Sequence, residues 1–348
     1  QDLKLETTIK ENNDVIINKQ LIGNLKGLKL NLEFSKGTLD TDIKSLKKAA
    51  RQGIANELIG RTKEIIEKKE LEFKDDYKIY WKNSAVAKIK KGGDYLSPEI
   101  EIIADEALDV NCRKDLSNAL NIWIKSLISE ELKDLTNLIR LKNKNQYLRA
   151  LAFQLYESNG VLKREKVKDI VNLISKQDRK QLRQLGIKIG RYHIFLPRML
   201  KPKAVSLRIS LWKFYNDIMS KNKVPKSGLN FLIDERSNFN SSFLLLCGFE
   251  KFKNFYVRVD ILEKLFLKII ENTKKNDFQI NADMMNLLGS TKENFYELLN
   301  LMNYKKKNKE KDIFFYMGDK KNRKKTEYVT KINKKNNPFQ KLMSLNLK

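Results

Sequence analysis

Two spacings of apolar residues divide the first hundred residues into β-rich and helical stretches. Apolar and polar residues alternate over 28–34, which is the period of a half-buried strand. Over 39–69, apolar residues recur at steps of three to four, with Lys and Glu between them, which predicts one long helix. Alternation returns over 77–89 around a turn of hairpin length. We therefore expect residues 1–110 to form two β arms joined by the long helix, as one small barrel-like sheet or as a hairpin unit.

From residue 111 onwards the pattern is mainly helical. Apolar stripes at helical spacing fill residues 111–185. Pro202 then opens a further helix, because proline is tolerated in the first helical turn. We expect a helical domain over 111–220 that contains a basic element, Gly186–Tyr215. Residues 221–243 are rich in Lys, Asn, Ser, Pro and Gly, a composition that predicts a linker.

Residues 244–317 predict a winged-helix-like unit. They show the order strand, helix, short strand, helix, tight turn, helix and hairpin, and helix-turn-helix turns often contain glycine. The second helix of the pair carries Glu293 and Glu297, which phosphates would repel, and an ordinary small α+β unit remains the alternative. Residues 318–348 predict a basic, largely disordered tail. The fold class expected for the whole chain is mainly α with small β elements (α+β).

The charge of the chain is strongly positive and unevenly distributed. Lys and Arg number 70 against 43 Asp and Glu, which gives a net charge of +27. Residues 186–226 hold ten basic residues and one acid, and residues 305–348 hold fifteen basic and four acidic residues. Two basic blocks on a nearly neutral body are typical of a protein with a polyanionic partner. We expect that partner to be a nucleic acid.

The basic residues of these blocks are the candidate contacts to nucleic acid. In residues 186–215 they are interleaved with aromatic residues, as in sites where a basic groove follows the phosphates and bases stack on rings. The alternative is that the rings belong to the core and the cations are merely exposed. The candidate nucleic-acid-binding residues are Lys188, Arg191, Arg198, Lys201, Lys203, Arg208, Lys213, Lys320, Lys321, Arg323, Lys324 and Lys325.

Catalytic and metal-binding motifs are missing from the sequence. It contains no GxxxxGK[ST] and no HExxH, and its one histidine, His193, is more typical of a packing or hydrogen-bonding residue. Cys112 and Cys247 are too far apart in sequence for a CxxC zinc motif and fit a reducing compartment. No apolar run approaches the length of a membrane helix. We expect no catalytic residue, no metal and no cofactor on this chain, no membrane partner, and a cytoplasmic location.

One long motif carries a family resemblance. Residues 185–202, LGIKIGRYHIFLPRMLKP, resemble a block in the C-terminal half of alphaproteobacterial helicase-related proteins, which are DExH-type superfamily-two RNA helicases similar to the mitochondrial RNA-degradosome helicase. Shorter matches follow the same order along the chain. They are WKNSAVAKI at 81–89, IIADEAL at 102–108, ALAFQL at 150–155, VRVDILE at 257–263 and NPFQKL at 337–342. Asn83 and Ala150 stand where the family usually has glycine, and of the two only Ala150 is small.

The resemblance implies that this chain is the C-terminal accessory, RNA-binding part of an ATP-dependent helicase. The family's motor, with its ATP and Mg²⁺ sites, lies upstream of the matching region, so no catalytic residue is carried over to this chain. The implied partners are single-stranded RNA, or another nucleic acid, and the motor domains of the same polypeptide. Two alternatives remain open: a separately encoded nucleic-acid-binding protein of winged-helix or ribosome-associated type, and a protein–protein scaffold that docks through the helix at 39–69.

Overall fold

The computed structural model describes residues 7–18, 20–33, 40–143, 145–218, 223–234, 240–274, 276–307 and 312–318. About 50% of the chain is helical and about 23% lies in small antiparallel sheets, so the predicted α+β class is confirmed. The chain forms two compact units. The first comprises Gln1–Ile189 and Ile194–Ser227, and the second comprises Gly190–His193 and Gly228–Lys348.

The first unit opens with one arrangement of strands and helix that occurs twice. In each copy, four antiparallel strands pair in chain order and are followed by a helix. The first copy is β1 (Thr7–Ile9), β2 (Asp14–Ile17), β3 (Gln20–Lys26), β4 (Lys29–Leu32) and α1 (Asp40–Lys68). The second copy is β5 (Leu71–Phe73), β6 (Lys78–Trp81), β7 (Ser84–Lys90), β8 (Glu99–Ile102) and α2 (Val110–Glu131).

The two copies agree in strand register as well as in order. Their strands have the same lengths, and each second strand has a register shift opposite the third. Thr7 pairs with Ile17 as Leu71 pairs with Trp81, so the copies are offset by 64 residues. The left-handed backbone of Asn13 recurs at Tyr77. We call these copies the first and second repeat.

The prediction of one barrel-like sheet is wrong. Each repeat forms its own open sheet of four strands, and among the described residues the two sheets share no strand pairing. Their apolar faces instead meet in one core, where Ile17 of the first repeat and Trp81 of the second are both buried, together with Ile54 of α1 and Leu120 of α2. A sheet that covers its apolar face in this way has no need to close on itself.

The remainder of the first unit is a helical body with a three-stranded sheet in the order β10–β11–β9. β9 interrupts the stretch predicted to be helical throughout, because Asn159 and Gly160 adopt positive φ and end α4. Ser175 Oγ caps α6 by accepting from the Asp178 amide at 3.1 Å, and a serine three residues before an acidic residue is a sequence signal for such a cap. The elements are α3 (Lys133–Asn137), α4 (Gln146–Glu157), β9 (Val161–Lys163), α5 (Lys168–Leu173), α6 (Lys176–Gln184), β10 (Lys188–Ile189), β11 (His193–Phe195) and α7 (Pro202–Tyr215), with 3₁₀ turns at Leu138–Asn143, Arg164–Val167 and Pro197–Leu200.

The second unit contains two three-stranded sheets, in the orders β12–β14–β13 and β15–β17–β16. β12 lies inside the predicted linker. The sequence does not predict this strand, because a run of only three apolar residues among polar ones gives too weak a signal. Gly289, with φ 67°, ends α10 and makes the predicted tight turn before α11. The elements are β12 (Phe231–Ile233), α8 (Ser241–Leu246), β13 (Phe249–Phe252), β14 (Phe255–Arg258), α9 (Val259–Asn272), β15 (Asp277–Gln279), α10 (Ala282–Leu288), α11 (Lys292–Leu301), β16 (Tyr304–Lys306) and β17 (Ile313–Tyr316).

Two expectations remain, on the C-terminal tail and on membrane-spanning helices. The predicted disordered tail, 318–348, lies outside the described residues except for Gly318. Across the part of the chain that the structure describes, no helix combines the length and the apolar character needed to cross a bilayer.

Candidate nucleic-acid interface

Three of the predicted cations lie on one exposed turn. Pro197–Leu200 forms a 3₁₀ turn, Lys201 follows it as the N-cap residue of α7, and Pro202 is the first residue of that helix. Each proline stands at a helix start, where its fixed φ is favourable. Arg198, Lys201 and Lys203 are exposed, and we call these three residues the basic turn. The Arg198 guanidinium lies 3.7 Å from Asp134 Oδ1, while the Arg198 side chain remains 55% exposed.

The basic turn places positive charge where a helix least favours it. The first turn of α7 contains no acidic residue, and no side chain caps it. The N-terminal end of a helix carries a partial positive charge, so acidic residues stabilise that position and cations do not. Backbone N–H groups at such an end, together with cations around it, attract anions such as phosphate.

Arg208 supports this turn from inside the protein. Its side chain is fully buried, its Nε donates to the Met199 carbonyl at 3.1 Å, and its NH1 donates to the Asn159 carbonyl at 2.9 Å. Because Met199 belongs to the 3₁₀ turn, these bonds fix the turn against α7. Arg208 is therefore out of reach of a nucleic acid. The signal was in the sequence, since Arg208 shares helical spacing with the buried Ala204 and Leu211.

None of the other predicted cations belongs to the basic turn. Lys188 is half-buried with its Nζ 5.8 Å from the centre of the Phe195 ring. Lys213 is half-buried near the far end of α7, about 18 Å from Lys201 at 1.5 Å per residue. Arg191 belongs to the second unit, where its guanidinium lies 5.8 Å from the Phe266 ring. The predicted contacts of the tail, Lys320, Lys321, Arg323, Lys324 and Lys325, lie outside the described residues.

The aromatic residues of the basic element pack into the protein. Phe195 is fully buried, the Phe214 ring lies 5.2 Å from that of Tyr77, and the Tyr192 ring meets Phe266 edge-on at 5.7 Å. These rings stabilise the fold, because each packs against neighbouring residues of the protein. The structure thus gives no support to bases stacking on these three rings, and of the cations in 186–215 it leaves Arg191, Arg198, Lys201 and Lys203 exposed.

His193 belongs to a buried charged cluster in the second unit. Burial lowers the pKa of His193, but the hydrogen bond to Glu250 and the Glu263 carboxylate, which lies 3.7 Å from His193 Nδ1, outweigh burial and hold the pKa above its usual value. Its Nε2 lies 2.9 Å from Glu250 Oε2. Glu263 also accepts the backbone N–H groups of Arg191, Tyr192 and His193 at 2.6–2.8 Å. Hydrogen bonding and packing are the roles that the sequence predicts for His193.

The structure also contains two concave surfaces that sequence reasoning missed. One, of about 510 Å³, lies along α1 and is lined by Lys44, Lys48 and Arg51, which share a face at helical spacing. Arg51 is partly neutralised there, because its guanidinium contacts Asp105 at 3.2 Å and Glu106 at 2.7 Å. The other, of about 620 Å³, lies on the first sheet, and asparagine is the commonest residue of its lining. The sequence feature that could have pointed to this second surface is the repeat. The sequence similarity between the two β arms is too short to establish that repeat.

The described residues offer no evident metal centre. They contain no group of three or more His, Cys, Asp or Glu side chains that could hold a metal ion.

Comparison of the chain with protein-family models, with curated proteins and with solved structures finds no match.

Proposed function

We propose that this chain binds single-stranded nucleic acid, with RNA as the expected form, through the basic turn. The observation that carries the proposal is the position of Arg198, Lys201 and Lys203 at a helix start that has neither an acidic residue nor a side-chain cap. Such cations do not help to stabilise the helix, whereas a phosphate there would be attracted by both the side chains and the helix end.

The resemblance suggests the setting in which this binding operates. The basic turn coincides with the end of the motif at 185–202 that resembles the helicase-related family, so we propose that the chain is the accessory part of an ATP-dependent RNA helicase. It would hold the strand and contribute no catalysis. A P-loop and a DExH box in the reading frame upstream of Gln1 would support this setting, and a start codon at that point would contradict it.

The binding proposal is tested by removing two cations. Lys201→Ala with Lys203→Ala should weaken binding of a uridine 12-mer and lower the slope of log K against log salt by roughly 0.7 for each phosphate that is no longer neutralised. Both side chains are exposed, so stability should change by no more than about 0.5 kcal/mol. The measurement is a fluorescence-anisotropy titration repeated at several salt concentrations.

A control with the same change in net charge separates a site from general attraction. Lys114 and Lys125 are exposed on α2, and replacing both with Ala removes the same two charges from the same unit. We expect this variant to keep the salt slope of the unmodified chain. Equal slopes for the two double variants would contradict a role for the basic turn.

We further propose that the second unit contains a winged-helix-like arrangement. The order α9, β15, α10, α11, β16, β17, with β17 between β15 and β16, supports it. Helix α11 is poorly suited to contact DNA, because Lys292 is paired with Asp312 at 2.9 Å and Glu297 with Lys253 at 3.0 Å. We therefore propose no base-specific contacts for this unit.

A further inference from the structure

The two repeats of the first unit carry different chemistry at equivalent positions. The offset of 64 residues matches Asn12 with Asp76, Asp14 with Lys78, and Asn24 with Lys88. A fourth match, Asn31 with Glu101, follows from strand pairing, because Asn24 pairs with Asn31 as Lys88 pairs with Glu101. These positions have the same strand register in both repeats, although the connection from the third to the fourth strand is longer in the second, so we compare the side chains that they carry.

In the second repeat these positions form a set of mutually neutralising ion pairs. Lys78 Nζ lies 3.2 Å from Asp76 Oδ2. Glu101 Oε2 lies 3.3 Å from Lys88 Nζ and 3.1 Å from Lys90 Nζ. The charged groups of this sheet surface therefore satisfy one another.

In the first repeat the same positions are three amides and one carboxylate, and they line a cleft of about 620 Å³. Asp14 organises two of the amides, since Asn12 Nδ2 donates to its Oδ2 at 2.7 Å and Asn24 Nδ2 donates to its Oδ1 at 3.0 Å. Asn83 and Ser84, from the β6–β7 turn, line the cleft as well, as do the exposed residues Leu21 and Lys26.

Several polar groups of the cleft remain available to a ligand. Among the described residues, the side chains of Asn31 and Asn83 make no hydrogen bond, and Asn24 uses only its NH₂ group. The carboxylate oxygens of Asp14 and the amide oxygen of Asn24 are acceptors. Leu21, with 51% of its surface exposed, adds an apolar contact. The cleft thus combines acceptors, free amides and an apolar residue, with Lys26 as its cation and Glu33 as a second carboxylate beside Asp14.

We propose that this cleft, which we call the amide cleft, binds a nucleobase of the single-stranded RNA; this rests on the function proposed above. Carboxylate and amide oxygens accept from exocyclic amino groups, and such contacts distinguish one base from another. Lys26 would meet the adjoining phosphate. Because the two carboxylates of the cleft, Asp14 and Glu33, only accept hydrogen bonds, a base with an amino group, such as cytosine, should be preferred to uracil, which presents a carbonyl oxygen at the same ring position.

The test compares cytidine and uridine 12-mers, which have the same backbone and the same charge. The unmodified chain should bind the cytidine 12-mer about 5- to 10-fold more tightly at about 0.15 M salt. Asn24→Lys with Asn31→Glu introduces the residues that the second repeat has at these positions and leaves the net charge unchanged. The ratio of the two affinities should then fall to about one, with uridine binding unaltered.

Two further variants complete the design. Lys88→Asn with Glu101→Asn is the matched control, because it is also neutral in charge and alters only the second repeat; it should keep the preference for cytidine. Asn83→Gly removes one amide where φ is 63°, a conformation that glycine adopts without strain, and should reduce the preference at least twofold. It decides the question if thermal melting shows that the Asn24/Asn31 variant is unfolded.

The outcomes separate the two proposals. Equal affinities of the unmodified chain for the two 12-mers, or an unchanged preference in a folded Asn24/Asn31 variant, would overturn the amide cleft and leave binding by the basic turn intact. The absence of any binding to either 12-mer would overturn the proposed function, and the amide cleft with it.

Discussion

Replacing Arg208 with Met should destabilise the first unit strongly, even though Arg208 lies among the cations that the sequence assigns to nucleic-acid binding. The fully buried guanidinium serves the carbonyls of Met199 and Asn159. Hydrogen bonds that involve a charged group contribute about 1.5–3 kcal/mol each. Met fills part of the volume but leaves both carbonyls unsatisfied, so we expect the free energy of unfolding to fall by about 3–5 kcal/mol.

Tryptophan fluorescence during urea unfolding measures this destabilisation in the first unit alone. Trp81, Trp123 and Trp212 are the three tryptophans of the chain, and all belong to the first unit. Arg208→Lys is the control, because it keeps the charge but cannot serve both carbonyls with the same geometry; its free energy of unfolding should fall by an intermediate amount. If Arg208→Met unfolds within about 1 kcal/mol of the unmodified chain and yet binds RNA more weakly, Arg208 is a direct contact and our assignment is refuted.

Two other predictions concern stability. Gly60→Ala, within α1, should raise the free energy of unfolding by about 0.5–1 kcal/mol, because an added Cβ meets no atom within 4 Å; a lower urea midpoint would contradict this. Because the pKa of His193 is held above its ordinary value of 6.5 by Glu250 and Glu263, its stabilising charge is fully present below that value and is lost as pH rises through the raised pKa. The protection of the backbone amides of residues 190–193 against hydrogen exchange, corrected for intrinsic exchange, should fall as pH rises through the raised pKa of His193. In the His193→Gln variant, this protection should no longer depend on pH.

Local signals were sufficient for several elements. The predicted helix at 39–69 matches α1, Asp40–Lys68, because its apolar stripe continues over many turns. The cap at Ser175 and the turn at Gly289 depend on a few neighbouring residues, and both were predictable. Two of the short strands were not. β12 and β9 have three residues each, and each is stabilised by pairing with a strand that is distant in sequence.

The candidate site was only partly predictable, for the same reason. Charge spacing identified Arg198, Lys201 and Lys203 as candidates, but it could not show that Arg208 is buried or that Arg191 belongs to the other unit. The amide cleft depends on strand register, which brings Asn12, Asn24 and Asn31 to one surface. No spacing along the chain indicates that arrangement.

The sequence by itself determined the α+β class, the long helix and the two basic blocks, because apolar period, capping and net charge are local or additive properties. Tertiary structure decided which sheets form, which cations are exposed and which polar residues share a cleft. Those features depend on burial and on pairing between distant segments. A sheet with one apolar face can close on itself or pack against a second sheet, and only the packing of the two repeats around α1 and α2 selects the second arrangement.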